Sequence, residues 1–512
     1  MKKFGWPLFY LFIFSLLVYN SFSYLDPDFG WHLRFGEIIW QTKSLPHDQI
    51  FMWTLPGKTW VDHEWLANLI LYILWSLGGY ILVSLFFAAL LLVTIFIINN
   101  YLFKNFVTTL KSQITLAVVE IIAIIGMTPH FGVRVQEITF FATSLLFIIF
   151  SNSQKNRSRL PPWWLPIFFY AWACLHAGFL IGLTFLCIWI CCEIILFYFP
   201  TIQKRVGLEP LTKQMLFFWV VISGLSFIST LITPYGISLY HFLTDYRDTF
   251  YQSHIKEWLS PFSFPIHYLQ IGLNLLVIVT SLGTIFSLRK KIPLFHYVII
   301  GLLIILAFKS VRHFPLLMAG WIILILPNCL FELTEKIKFS YTKFILPLTL
   351  GCLVIISSYI LIFTKFTTSP FTAYCGSYPC GAALFLKNNP EITKNMLNAY
   401  NFGGYLIGVA PELRLFIDGR LPQYPFKGHS ILEEYYQFFQ PDLSRKKLNE
   451  HQISTVFVQK FVPNQKNNWF EKYILGLNNE NIKPGEFLYH LHSSSNWEKV
   501  YEDSLSLIYV RK

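Results

Sequence analysis

The residues best suited to chemistry lie in one early stretch, Tyr24 to Trp65. Asp26 and Asp28 are two positions apart, and His32 follows Asp28 by four. On a helix that spacing puts Asp28 and His32 on one face. Paired carboxylates can hold a divalent metal such as magnesium or manganese through oxygen. One of them can instead act as a general base toward a hydroxyl, with His32 orienting the pair or meeting a phosphate. A second polar group, Asp62-His63-Glu64, closes the stretch. Residue 67 is Ala, so the zinc-protease pattern His-Glu-x-x-His is absent.

Each of these residues also has a plain structural use. Asp26 can cap a helix that opens with Pro27. Asp62 can cap another, with Glu64 in its first turn. His32 can be a surface histidine of an amphipathic helix running to about Gln41. On that helix Phe29, Leu33, Gly36 and Trp40 share a face that can lie on a membrane. A turn around Pro46 and Pro56-Gly57 leads to a further helix that ends at Gly78-Gly79.

The elements around this stretch are apolar. The chain has 512 residues, is 54% hydrophobic and only 13% charged, against roughly one quarter charged in soluble domains. Continuous apolar runs recur, and in lipid such runs must be helical. Counting from the N-terminus gives about eleven spans, so the fold expected is a mainly α, polytopic membrane protein. The net charge of +12 comes from Lys and Arg clustered between the runs. That is a topology signal and not a nucleic-acid surface. With Lys2 and Lys3 cytoplasmic, the Asp26 loop is extracytoplasmic, and the first helix is read as an uncleaved anchor. The transmembrane domain is expected over residues 1–365, with its first outer loop at 25–65.

Residues 366–512 lack long apolar runs and carry more charge. Leu413–Ile417, Ser454–Val458 and Leu505–Val510 read as strands, and Ala382–Lys387 and Ile431–Phe439 as helices. A small extracytoplasmic α/β domain is expected, long enough for its own core. Cys375 and Cys380 lie in it, where a disulfide is plausible. The other cysteines, Cys174, Cys187, Cys191, Cys192, Cys329 and Cys352, lie in apolar runs and read as packing residues.

Outward-facing cations at the span ends and outer loops are Arg134, Arg247, Lys256, Lys309 and Arg312. They can hold a lipid-linked phosphate by charge-assisted hydrogen bonds, or simply meet lipid headgroups. Gln136, His176 and His313 can join such a site or tie helices together. No Gly-rich phosphate loop, Ser-His-Asp set or dinucleotide fingerprint is present.

The layout resembles the C-type (GT-C) glycosyltransferases, polytopic enzymes that use lipid-linked sugars. The shared plan is a first helix, an acidic outer loop with interfacial helices, many spans and an outer C-terminal domain. Asp26-Pro27-Asp28-Phe29-Gly30-Trp31-His32-Leu33-Arg34-Phe35-Gly36 and Trp60-Val61-Asp62-His63-Glu64-Trp65-Leu66 are similar to a group of uncharacterised bacterial members. So are Asn401-Phe402-Gly403-Gly404-Tyr405-Leu406 and Phe416-Ile417-Asp418-Gly419-Arg420. The resemblance implies a polyprenyl-phosphate sugar as donor and an extracytoplasmic lipid, glycan or protein as acceptor. It implies that a first-loop acid, Asp26 or Asp28, acts as base or helps bind a metal, with Asp62 and Glu64 as second choices. The mannosyltransferase group carries adjacent Asp-Glu there, whereas this chain has Asp-Pro-Asp, which leaves open which acid is the base. A transporter is the main rival, though only Glu120 and Glu193 are mid-span charges and no internal repeat is evident. The other rival is a non-catalytic scaffold with an outer binding domain.

Overall fold

A computed structural model describes residues 5–206, 208–247, 249–263, 266–286, 293–328, 345–460 and 484–512. Lys2, Lys3, Cys329 and the basic clusters at 289–291 and 336–338 lie outside the described residues. The protein is mainly helical, with a small sheet near the C-terminus. Five helices among the described residues are long and apolar enough to cross a membrane: Trp65–Asn105, Leu110–His130, Phe179–Tyr198, Lys213–Leu231 and Val311–Asn328. Further apolar helices are shorter, including Trp6–Ser21, Leu165–Leu175 and Leu294–Lys309. Gly78 and Gly79 break the longest helix; Gly79 has φ +60, a left-handed conformation suited to glycine.

The chain divides into two compact units. The first comprises Met1–Ser23, Ser84–Gly236 and Ile266–Phe366. Apolar helices make it up, tied by buried polar contacts. Asn20 Nδ2 donates to the carbonyls of Thr128 and Phe131. Thr139 Oγ1 meets His176 Nδ1 at 2.7 Å and accepts from Trp172 Nε1. Arg157 pairs with the fully buried Glu193.

The second unit comprises Tyr24–Val83, Ile237–Pro265 and Thr367–Lys512. The early polar stretch therefore packs with the C-terminal region. Its sheet has the spatial order Met396–Asn398, Thr455–Gln459, Ser506–Arg511, Trp497–Glu502. The first pair is parallel and the others antiparallel. Thr455–Gln459 is buried over its first four residues, as an inner strand should be, while Trp497–Glu502 is a mostly exposed edge. The expected strands at 454–458 and 505–510 fall within one residue of these, and the expected helices at 382–387 and 431–439 correspond to Cys380–Asn388 and Ile431–Gln437. Cys375 and Cys380 are joined by a disulfide.

Three expectations need correction. Leu413–Ile417 is not a strand of the sheet. Leu415 instead makes a single parallel bridge to Met52 of the early stretch, with bonds between Leu415 N and Phe51 O and between Trp53 N and Leu415 O. The apolar run was real, but its partner is a distant loop. Second, the helix after Asp26 begins at Phe29 with Asp28 as N-cap residue. Asp26 acts one step earlier, its Oδ1 accepting from Asp28 N at 2.9 Å. Third, the face Phe29, Leu33 and Gly36 does not lie on lipid. All three are buried within the protein, and only Trp40 is exposed.

Candidate functional site

The second unit brings the early acids together with two later glycine-rich segments. Helix Phe29–Thr42 crosses helix Gly403–Val409 at almost backbone contact. A Cβ at Gly30 would stand 2.1 Å from Gly404 O, and one at Gly404 would stand 2.0 Å from Pro27 O. A side chain at either position would separate the helices. Gly403 in turn abuts Asp418, since a Cβ there would meet its Cα at 2.8 Å. Three segments distant in sequence thus converge: Asp26–Trp31, Asn401–Tyr405 and Phe416–Arg420.

Asp28 sits at that convergence. It is half-buried, its Oδ1 accepts from Trp31 Nε1 at 2.9 Å, and the carboxylate lies against Gly419. Asp26 is more deeply placed, about 9% exposed. Tyr400 is near both Asp28 and Asp418. Burial first, then the charges of Tyr251, Asp28, Tyr436 and Asp418, push its phenol well above the ordinary value, so it stays a proton donor.

Arg420 is almost wholly buried. Its Nε and Nη2 bond the Asp418 carboxylate at 2.9 and 2.6 Å, a bidentate pair. The guanidinium carbon also lies 5.1 to 5.3 Å from the ring centroids of Phe35, Phe51 and Trp60, within cation–π range. Asp418-Gly419-Arg420 is the ionic core of this region. A lone Asp-Gly-Arg gives no signal of that, because its aromatic partners lie more than 350 residues earlier.

Beside this core runs a second polar chain. Asn68 Nδ2 donates to both oxygens of Asp62, at 2.9 and 3.0 Å. Asn68 Oδ1 meets His32 Nδ1 at 2.6 Å. His32 Nε2 is 3.8 Å from Glu64 Oε2, and His63 Nε2 is 3.7 Å from Glu64 Oε1. Burial pushes the Asp62 carboxyl up to about 7, against the hydrogen bonds from Asn68 and Glu64 N and the charge of Arg420. Burial pushes His32 down to about 4, although its Asn68 bond works the other way. Asn68 belongs to none of the motifs legible in the sequence. A lone Asn near the start of an apolar helix, four residues after Glu64, was the available signal.

Arg247 and Lys256 belong to the same unit and are exposed. Arg134, Gln136, Arg312 and His313 belong to the other unit. There Arg134 lies near Glu137, whose Oε1 accepts from Gly132 N. Asp26 and Asp28 are both in the second unit, whereas Lys309, Arg134 and Arg312 are not.

No protein-family model matches the chain, and no curated protein matches it.

Among the described residues, one trio of metal-type ligands has donor atoms within 4.8 Å of one another: Glu434, Glu450 and His451. Lys447 Nζ already bonds both oxygens of Glu434 at 2.9 Å, and His429 and His451 each approach it at 2.6 Å. Burial works to raise the Glu434 carboxyl, but the bonds from His451, Lys447 and His429 outweigh it and hold it at about 2. An ammonium thus supplies the positive charge at this cluster. Its donors tie helix Ile431–Gln437 to helix Pro441–Glu450 and to the short hairpin before them.

Proposed function

We propose that the chain is a membrane glycosyltransferase that moves a sugar from a polyprenyl-phosphate donor to an extracytoplasmic acceptor. One observation carries this reading: Asp28, half-buried at the start of its helix, lies against Gly419 and near Tyr400, where the segments that resemble the family meet. About eleven spans complete the membrane domain, with the N-terminus cytoplasmic and the first outer loop (25–65) and the C-terminal domain (366–512) extracytoplasmic. The bilayer and a lipid-linked sugar are its partners.

Asp28 takes the proton of the acceptor hydroxyl as the anomeric carbon is attacked. Asp26 supports it by fixing the turn that presents it. Tyr400, kept protonated, donates a hydrogen bond to developing negative charge. Arg247 and Lys256 are the exposed cations of this unit suited to the donor phosphate. Two carboxylates with phosphate oxygens make an all-oxygen donor set, which suits magnesium or manganese better than zinc. Where the pair holds an ion instead of supplying the base, Asp26 and Asp28 would be its ligands, and when bound it would neutralise charge on the leaving phosphate.

The deciding experiment gives a labelled polyprenyl-phosphate sugar to proteoliposomes carrying the wild-type chain or Asp28→Asn. Loss of transfer in the variant supports the reading. Unchanged transfer removes Asp28 from the chemistry.

A further inference from the structure

The polar chain beside the acids contains a histidine whose protonation is fixed by a residue with no assigned role. Asn68 has no exposed surface. With Asp62 ionised, both of its oxygens only accept, so Asn68 commits Nδ2 to them and the atom it turns to His32 is the carbonyl oxygen. A carbonyl only accepts, so His32 Nδ1 carries the hydrogen. The other tautomer would press two lone pairs together at 2.6 Å. In the neutral ring, Nε2 is then the basic nitrogen. It faces Glu64 Oε2 at 3.8 Å, too far for a direct hydrogen bond. Trp31 stacks on the imidazole with centroids 3.7 Å apart, which holds the ring plane. The same Trp31 donates to Asp28, so the two acidic motifs are linked through one indole. His32, Glu64 and His63 each keep about a tenth of their side-chain surface open.

We infer that Asn68 is a positioning residue that locks His32 in the Nδ1–H form, making His32 Nε2 and Glu64 a second acid–base pair beside Asp28 for a hydroxyl of the acceptor. The hydroxyl end of this inference rests on the glycosyltransferase reading; the tautomer does not. Asp62 anchors the Asn68 amide and so sets which way it points.

The test uses the full chain in nanodiscs with ring-¹⁵N histidine, read by NMR at about pH 8.5, above the raised Asp62 value, where that carboxyl is ionised. The His32 signals are identified by their loss in His32→Gln and, independently, in His32→Phe. The expected wild-type result is a protonated Nδ1 and an unprotonated Nε2. In Asn68→Ala and Asn68→Ser the Nδ1–H fraction falls several-fold. A wild-type ring protonated on Nε2 overturns the inference whatever the variants do. So does an unchanged tautomer in either folded Asn68 variant. In the transfer assay, Asn68→Ala lowers kcat and alters its pH profile while KM for the donor holds; a change in KM alone overturns the acid–base role. Absence of any transfer by the wild type would defeat the glycosyltransferase reading and the hydroxyl end with it, leaving the tautomer result standing.

Discussion

The carboxylate of Asp28 rests on the Cα of Gly419, so closely that a Cβ at 419 would stand 2.3 Å from Asp28 Oδ1. A methyl group there must displace the acid. Gly419→Ala is expected to cut sugar transfer by about a hundredfold, the scale of a 1 Å misplacement of a reacting group. Labelled transfer measured beside thermal unfolding checks it. A fully active, folded variant would show that Asp28 need not hold this position.

Asp26 and Asp28 separate under amide substitution. Asn at 26 keeps a side-chain oxygen for the Asp28 N–H, so Asp26→Asn should retain stability and most transfer. Asp26→Ala loses that bond and should cost about 1 kcal/mol, as for a lost cap. Asp28→Asn should lose transfer while unfolding at an unchanged temperature. Equal losses in both amide variants would make Asp26 a second chemical group.

The Gly30–Gly404 crossing predicts a contrast between glycines. Gly404→Ala must push against Pro27 O, and Gly30→Ala against Gly404 O. Each should destabilise by about 1–3 kcal/mol or more, the cost of overpacking. Gly272 lies in helix Tyr268–Phe286, where an added Cβ meets nothing within 4 Å. Gly272→Ala should be neutral or stabilising, because Ala is the better helix former. Unfolding temperatures in one detergent compare all three.

His32 and Asp62 give opposing pH dependences. Asp62, raised from 3.8 to about 7, keeps a proton in the folded state that the unfolded chain loses. Its contribution therefore falls as pH rises from about 4 to about 7. His32, lowered from 6.5 to about 4, stays neutral when folded while the unfolded chain takes up a proton. Its contribution falls as pH drops from about 6.5 to about 4. Each slope can reach about 1.4 kcal/mol per pH unit, so they offset in the wild type. His32→Gln should leave stability declining with rising pH across this window. Asp62→Asn should leave it climbing. Matching slopes in the two variants would refute the assignment.

The sequence alone determined the helical, lipid-compatible character of the chain, because continuous apolar runs satisfy their backbone only within themselves. The break at Gly78-Gly79, the strands at 455–459 and 506–511 and the acids at 26, 28 and 62 were legible for the same reason: they are local patterns. Tertiary structure alone decided what those acids meet. Gly419 against Asp28, Asn68 between Asp62 and His32, and Arg420 among Phe35, Phe51 and Trp60 join positions tens to hundreds of residues apart. Leu413–Ile417 marks the same divide, since its apolarity promised burial but not the loop at Phe51–Trp53 that it pairs with. Periodicity reports which face of an element is buried; which element covers it depends on chain closure, and that leaves no mark on local sequence.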